Sequence, residues 1–599
     1  MIIYNFKNNK IFSFLKLIYR GFGRYKKRIV FLTVLGFLSS LAGGVGINAL
    51  IPLFSFVTGE GTNGDDFISQ AITKLFSFSG VAFNVKFLLV FVCLLFVLKA
   101  VLLILSSYVS VKIIAEYEAR TRSNLFKIIL KSDWPYLLKQ KLGHLETVLM
   151  TNVKNCSLLL NHISTIIITL ANLVVYAIIA INISAYITLI TIAFSGLIFV
   201  LFHPAINKTR RIAYEEEKIN RDIAHHINEN ILGMKTVKAM RADQRIIKFA
   251  QDSFGKLKDI RIKTYLFSTL PNALMEPFSL IFICVVFAFF YKTPGFNLAA
   301  LVAVIYLIRQ IFSYAQQLQK YLLGASSLIP YLRGVLNFEE QAYNNNEKNT
   351  GSENFKFNQI LEFKNITFSY NNKKNILSKV SFIIKKGEMV GLIGPSGAGK
   401  TTLVDLILRL FLPLEGEILL DGKNAGQINL NEWRENIGYV SQDMFLKNDT
   451  IANNIKFYDD SVTEENMETA AKKANIYDFI LSLPQKFETI IGERGIEFSV
   501  GQRQRIVIAR VLAQSPEILI LDEATSALDN KSEERIQKVI ENLKGRLTVF
   551  VVAHRLSTVI NCDKLLVLDK STIVEEGRPS ELLKDKDTYF YKAYNIRNK

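Results

Sequence analysis

Met389-Val390-Gly391-Leu392-Ile393 runs straight into Gly394-Pro395-Ser396-Gly397-Ala398-Gly399-Lys400-Thr401. An apolar strand expected over Ser381 to Ile393, a glycine-rich turn and a helix expected over Thr401 to Arg409 therefore follow one another, which is the context a phosphate-binding loop requires. Glycines at 394, 397 and 399 let backbone N–H groups approach phosphate oxygens with no side chain in the way, at the positively polarised start of a helix. Lys400 supplies a mobile positive charge for the β- and γ-phosphates, and Thr401 offers a hydroxyl to Mg²⁺. Ser396 and Thr402 complete the expected cradle.

A second signal lies downstream. Ile518-Leu519-Ile520-Leu521 has the pattern of a buried strand and ends in Asp522-Glu523. Asp522 is expected to hold Mg²⁺ and Glu523, one residue further on, to polarise an attacking water. Two exposed carboxylates at a strand end are the plainer alternative, and the loop upstream in matching order argues against it.

The preceding part of the chain is of another kind. The 599 residues are half hydrophobic, with 43 Phe and a mean hydropathy of +0.23, too apolar for a soluble enzyme of this length. Apolar runs near Ile29 to Phe56, Phe87 to Val111, Leu158 to Ile181, Ala185 to Phe202, Pro277 to Tyr291 and Leu298 to Leu323 predict six crossings. The fifth is long enough only if it reaches back toward Leu270. Lys7, Lys10, Lys16, Arg20, Arg24, Lys26, Lys27 and Arg28 precede the first run with no acidic residue among them. This cluster, part of a net charge of +19, reads as a cytoplasmic flank on anionic lipid rather than a nucleic-acid surface. No cleavage site follows it, so the first span is expected to be retained.

The segments near 112 to 156 and 203 to 265 are long and basic, which places them and both termini in the cytoplasm. Charged helical patterns such as Glu116-Tyr117-Glu118-Ala119-Arg120 and Tyr214-Glu215-Glu216-Glu217-Lys218 predict membrane helices that continue into the cytoplasm. They are expected to turn around Ser132-Asp133-Trp134-Pro135 and Ile231-Leu232-Gly233-Met234-Lys235. Between the first two spans, Asp66 to Phe78 has helix-like apolar spacing and is expected either to lie on the outer leaflet or to pack on its own protein. Two cations fall within spans, Lys99 and Arg309. They suit a basic cavity for an anionic substrate group; pairing with Glu276 or snorkelling to the interface is the alternative. Cys93, Cys156, Cys284 and Cys562 show no metal-ligand spacing and read as reduced thiols.

With these residues in view, 361 to 599 resemble the nucleotide-binding domain of ATP-binding cassette transporters. Tyr370 matches the family's adenine-stacking aromatic and Gln442 in Val440-Ser441-Gln442-Asp443 its Q-loop, a third contact to Mg²⁺. Ser526-Ala527-Leu528-Asp529 matches its D-loop, His554 its switch histidine, and Gly492-Glu493-Arg494-Gly495 a motif typical of exporters. Phe498-Ser499-Val500-Gly501-Gln502 matches the signature; the resemblance implies that Ser499, Gly501 and Gln502 meet the γ-phosphate bound to a second copy of the chain. Val500 stands where the family usually has glycine. If φ there is negative the helix start can still donate, whereas a positive φ makes a β-branched residue costly, so reduced hydrolysis is expected.

The membrane half is similar to the exporter-type six-helix domain. The expected architecture is multidomain: an all-α six-helix transmembrane domain followed by an α/β P-loop nucleotide-binding domain. The expected bounds are a basic N-terminal segment over 1–28, transmembrane domain over 29–335, polar linker over 336–356 and ATP-binding cassette over 357–599. By resemblance this is half a transporter, and because it holds its own catalytic residues a homodimer is expected over a heterodimer. The long first external connector with Lys99 and Arg309 resembles the lipid-linked oligosaccharide flippase subgroup of bacterial inner membranes. A peptide or hydrophobic-drug exporter is the alternative; the residues before the first span do not read as a peptidase domain, so an exporter of the class that cleaves leader peptides is not expected. An ATP-sensing regulatory cassette protein is expected to lose Glu523 or His554, and both are retained.

Overall fold

The computed structural model describes residues 10–49, 52–53, 67–78, 80, 83–290, 298–370, 374–495, 497–524, 530–553 and 555–597. The chain forms two compact units, 1–132 with 136–346, and 133–135 with 347–599.

The first unit is helical. Among the described residues, five helical stretches are long and apolar enough to cross a membrane: Phe14–Asn48, Val85–Leu130, Gly143–Ile183, Ala185–Leu232 and Asp243–Phe289. The sixth expected span falls on the 47-residue helix Leu298–Asn344, while the expected span ends at Phe56 and Tyr291 lie outside the described residues. The 46 residues of Val85–Leu130 rise roughly 69 Å, more than twice the ~30 Å of bilayer hydrocarbon, so this helix runs on well past the membrane as its charged second half requires. It ends just before the expected turn; Trp134–Leu138 forms a short helix there. On the other long loop, His203–Leu232 stops at Gly233, and Met234–Ala239 is a separate short helix before Asp243–Phe290. The last of these passes through Pro271 and Pro277 without a break, which gives the fifth span its length.

The external segment forms the helix Phe67–Phe78; Asp66 lies outside the described residues. Ile72 and Phe76 are buried with Ala49, Leu88 and Val92, and the Phe76 ring meets Phe83 and Phe91 edge-on at 5.4 and 5.6 Å. The helix thus packs on its own protein, leaving Leu75 and Phe78 exposed.

The second unit holds two sheets. The strands are β1 Ile360–Phe368, β2 Leu377–Lys385, β3 Met389–Ile393, β4 Glu415–Leu420, β5 Lys423–Asn424, β6 Ile437–Val440, β7 Ile518–Asp522, β8 Thr548–Val552, β9 Lys564–Asp569 and β10 Thr572–Gly577. One sheet has the order β2-β1-β4-β5 and the other β10-β9-β3-β8-β7-β6. β9, β3, β8, β7 and β6 are parallel to one another. Every residue of β3, β7 and β8 is buried, as expected of parallel strands covered on both faces. Met389 and Ile393 point into one core, Val390 and Leu392 into the other.

One expectation fails here. Ser381 to Ile393, read as one strand, is the end of β2 and all of β3, which belong to different sheets. Lys386-Gly387-Glu388 breaks it, with Gly387 at φ +75°, a conformation that favours glycine. The helix after the glycine-rich turn is Lys400–Ile407, and Arg409 at φ +52° lies beyond its end.

Candidate functional site

The parallel strands bring their carboxyl ends to one edge, the place where open α/β sheets bind ligands. Leu392 of β3 and Asp522 of β7 both align with Val552 of β8, and Val440 of β6 aligns with Leu521. The glycine-rich turn, Asp522-Glu523 and the Gln442 segment, separated by up to 128 residues in sequence, therefore leave the sheet side by side. His554 comes two residues after β8 in sequence, and it and Asp529 lie outside the described residues.

The turn is built on backbone conformations open to glycine. Gly397 and Gly399 have φ of +79° and +107°, and a Cβ on Gly394 would stand 2.1 Å from the Leu568 carbonyl oxygen. Lys400 is only 6% exposed; its Nζ donates to the carbonyls of Gly394 at 2.9 Å and Pro395 at 3.1 Å, closing the loop around its own amine. Burial holds the amine below its usual pKa, against Glu523 and Asp522, which pull it up. The helix begins without a side-chain cap, so its first N–H groups are left for a ligand. Thr401 is exposed.

Asp522 is 2% exposed and its Oδ1 has no hydrogen-bond partner. Burial, and next the charge of Glu523, push its carboxyl up to about 6, while a hydrogen bond from Tyr439 holds it down. A buried carboxylate oxygen with nothing to accept is costly unless a cation or donor meets it, so the chemistry of Asp522 fits Mg²⁺. Among the described residues no cluster of three His, Cys, Asp or Glu stands ready as a metal site. Glu523 adopts φ +51°, which costs a non-glycine residue about 1–2 kcal/mol; its N–H donates to the Val552 carbonyl at 2.9 Å, which pins it at the sheet edge. Gln442 is exposed two residues past β6.

Tyr370 is 47% exposed with its ring edge-on to Phe368 and Phe411 at 5.0 and 5.2 Å, so the ring is braced and a face remains for a base. Its hydroxyl lies 2.9 Å from Thr402 Oγ1, and Thr402 is buried; that hydroxyl is thus engaged by Tyr370. Two residues escaped the sequence reading. Tyr439 reaches Asp522 from the next strand, a contact no spacing rule reveals. Asp405, whose carboxyl burial and then Asp522 push up to about 6, stands one helical turn after Thr401, where i,i+4 spacing was the available signal.

Ser499, Gly501 and Gln502 sit at the start of the helix Val500–Ala513. Ser499 Oγ accepts from the Gln502 N–H at 3.3 Å and Gln502 Oε1 accepts from the Ser499 N–H at 2.8 Å, a reciprocal cap. Because the exposed Ser499 hydroxyl accepts in this cap, its proton remains available to a ligand. Val500 is the first helical residue and is not among those with positive φ; its side chain packs against the core. The backbone ground for expecting reduced hydrolysis at this position is therefore removed.

In the membrane unit, Lys99 is half-buried and Arg309 exposed. A Cβ placed on Gly43 would lie 2.9 Å from Lys99 Nζ and 3.0 Å from the Tyr176 hydroxyl. Glycine thus leaves room for the amine between Val85–Leu130 and its neighbours. Among the described residues neither cation forms an ion pair with Glu276.

Residues 29–321 match the ABC transporter transmembrane region and residues 377–526 the ABC transporter domain. Over 482 residues the chain is 30% identical to the putative multidrug export ATP-binding/permease protein YgaD of Bacillus subtilis, covering 80% of this chain and 83% of that one. The chain belongs to the ABC transporter family.

This ABC transporter is also 30% identical over 597 residues to human ATP-binding cassette sub-family B member 5, across 93% of this chain and 45% of that protein. To the ATP-dependent lipid A-core flippase of Desulfotalea psychrophila it is 48% identical over 233 residues, 39% of this chain and 41% of that one. It thus spans less than half the length of either. A bacterial Atm1-family ABC exporter solved with ATP bound superimposes with a TM-score of 0.78 at 24% identity, covering 96% of this chain and 100% of that chain. The likeness carries the fold: a helical transmembrane region followed by an α/β nucleotide-binding domain.

For this ABC transporter, Val500→Gly is expected to change ATP turnover by less than about twofold, or ~0.4 kcal/mol of barrier. It is also expected to lower the stability of the nucleotide unit by about 0.5–1 kcal/mol, since glycine disfavours a helix. Steady-state phosphate release and thermal unfolding measure the two; a severalfold gain in turnover would mean that Val500 limits the site.

Proposed function

We propose that two copies of this chain form an exporter that couples ATP hydrolysis to movement of an amphiphilic, lipid-linked substrate bearing an anionic group across a membrane. The observation that carries the ATPase part is the single sheet edge on which Lys400 closes the glycine-rich loop, Asp522 presents an unpartnered buried oxygen and Glu523 is held at positive φ. Tyr370 stacks the adenine, and Gly394, Ser396, Gly397, Gly399, Lys400, Thr401 and Thr402 line the phosphates. Asp522, Thr401 and Gln442 hold Mg²⁺, which when bound neutralises phosphate charge. Glu523 takes the proton of the attacking water, and His554 contacts the γ-phosphate. Ser499, Gly501 and Gln502 of the second copy close the site, and Asp529 takes part in binding the nucleotide.

ATP brings the two cassettes together, and the long cytoplasmic extensions of the membrane helices carry that motion to the bilayer, where the cavity changes the side on which it opens. The protein is a multi-pass membrane protein; by the positive-inside rule its termini and cassette face the cytoplasm of a bacterial inner membrane. Nucleic acid has no part in this reading.

For the substrate, Lys99 lies mid-span, about 18 Å by helical rise from either end of the 87–111 run, and points its amine at Gly43 and Tyr176 rather than at an interface. Together with Arg309 it favours a diphosphate-bearing lipid, and the name of the lipid A-core flippase agrees with a lipid substrate. A hydrophobic-drug or peptide exporter is the second reading, favoured by the name of the Bacillus relative. In proteoliposomes a polyprenyl diphosphate is expected to stimulate ATP hydrolysis severalfold, and the double variant Lys99→Ala, Arg309→Ala to raise the concentration needed by about tenfold or more, roughly 1.4 kcal/mol. Stimulation by a neutral drug that is indifferent to both substitutions would overturn the lipid reading in favour of the second.

A further inference from the structure

We propose that a cavity of about 380 Å³, walled by the helices Lys10–Phe22, Val85–Leu130 and Leu298–Asn344, is a binding site for the phosphate headgroup of an anionic lipid in the cytoplasmic leaflet. Arg20 and Arg24 enter it from the N-terminal helix and the turn after it, Arg120 from the second wall and Glu339 from the third. Glu340, adjacent to the cavity, pairs with Arg20 at 3.0 Å; Glu339, in the lining, accepts from the neutral Asn124 Nδ2 at 2.9 Å and keeps its negative charge. Arg24 and Arg120 have no ion pair among the described residues. Two guanidinium groups outside any ion pair thus face one concavity against the single carboxylate of Glu339, and the surplus positive charge matches the anionic oxygens of a phosphodiester.

Tyr25 and Tyr117, which line the cavity, are 8% and 4% exposed, and the Tyr117 ring packs 6.0 Å from Tyr25 and 5.3 Å from the buried Phe22. A site already held in place costs little ordering on binding.

Two independent observations put this cavity at the lipid surface. Leu15 and Tyr19 on the N-terminal helix are 56% and 67% exposed beside Lys16 and Arg20, the mixed apolar and basic character of a helix lying in the membrane interface. The depth also fits. Arg24 precedes the apolar run at Ile29 by about 7.5 Å of helical rise, and Arg120 follows Val111 by roughly 14 Å. Side chains lean toward the start of their helix, so Arg120 reaches back toward the bilayer. Basic pockets between membrane helices on the cytoplasmic side are suited to phospholipid headgroups.

The test uses the full chain in a neutral detergent, with phosphatidylglycerol, phosphatidylcholine or glycerol 3-phosphate added, and reads the thermal midpoint together with the lipid retained in native mass spectrometry. Phosphatidylglycerol is expected to raise the midpoint by about 3 °C and to remain bound, phosphatidylcholine to do neither. Arg24→Gln with Arg120→Gln should abolish both effects. Lys26→Gln with Lys27→Gln, which removes the same charge just outside the cavity, should preserve them. Equal loss in the lysine pair would show diffuse attraction and overturn the site, and an equal shift with glycerol 3-phosphate would make it a site for soluble phosphate instead. Should the double arginine variant not fold, the single Arg120→Gln decides: undiminished retention of phosphatidylglycerol would refute the proposal.

Discussion

Glu523→Gln is expected to lower ATP turnover by about 10²–10³-fold, some 3–4 kcal/mol of barrier, while ATP affinity stays within about threefold. The amide is nearly the same size and keeps the φ of +51° and the N–H bond to Val552 that aim this side chain from the sheet edge, so the position survives and the proton acceptor does not. Loss of one carboxylate also relieves Asp522, whose raised pKa owes its second-largest part to Glu523; nucleotide binding is therefore not expected to weaken. Phosphate release and equilibrium binding of ATP, measured on the same preparation, check both halves. Turnover within about tenfold of the parent would remove Glu523 from the proton-accepting role.

Lys400→Ala is expected to weaken ATP binding by about 30-fold, roughly 2 kcal/mol, the scale of a lost hydrogen bond to a charged group. Its amine holds the Gly394 and Pro395 carbonyls and feels the charges of Glu523 and Asp522. Without it the two carboxylates face an incoming triphosphate uncompensated, and the loop that presents its N–H groups loses its internal tie. Calorimetric titration with ATP reads the effect, and thermal unfolding of the free protein separates it from loss of fold. An affinity change below about threefold would mean that backbone N–H groups alone set the binding energy.

How far the sequence could be read varied from element to element. The five apolar residues of β3 before a glycine-rich turn are informative because a strand buried on both faces admits few other residues, and Ile518 to Asp522 reads the same way. The turns after Leu130 and Leu232 were legible because helices of this length must end where charge, proline and glycine accumulate. Ser381 to Ile393 was misread as one strand, since apolar character on either side of Lys386-Gly387-Glu388 does not say that the two pieces join different sheets. The helix Phe67–Phe78 was legible as amphipathic, but its spacing alone leaves lipid and protein equally able to cover Ile72 and Phe76.

The site divides in the same way. Which side chains carry phosphate and metal chemistry follows from residue type and spacing along a short stretch of chain, because the glycines, Lys400 and Thr401 must be neighbours to cradle one phosphate group. The hydrogen bond from Tyr439 to Asp522, the orphaned Asp522 Oδ1, the positive φ of Glu523, the ordinary helical start at Val500 and the room that Gly43 leaves for Lys99 are absent from any such stretch. Each depends on a partner tens of residues or more away, or on one residue's backbone angle, and both are set by how strands and helices pack.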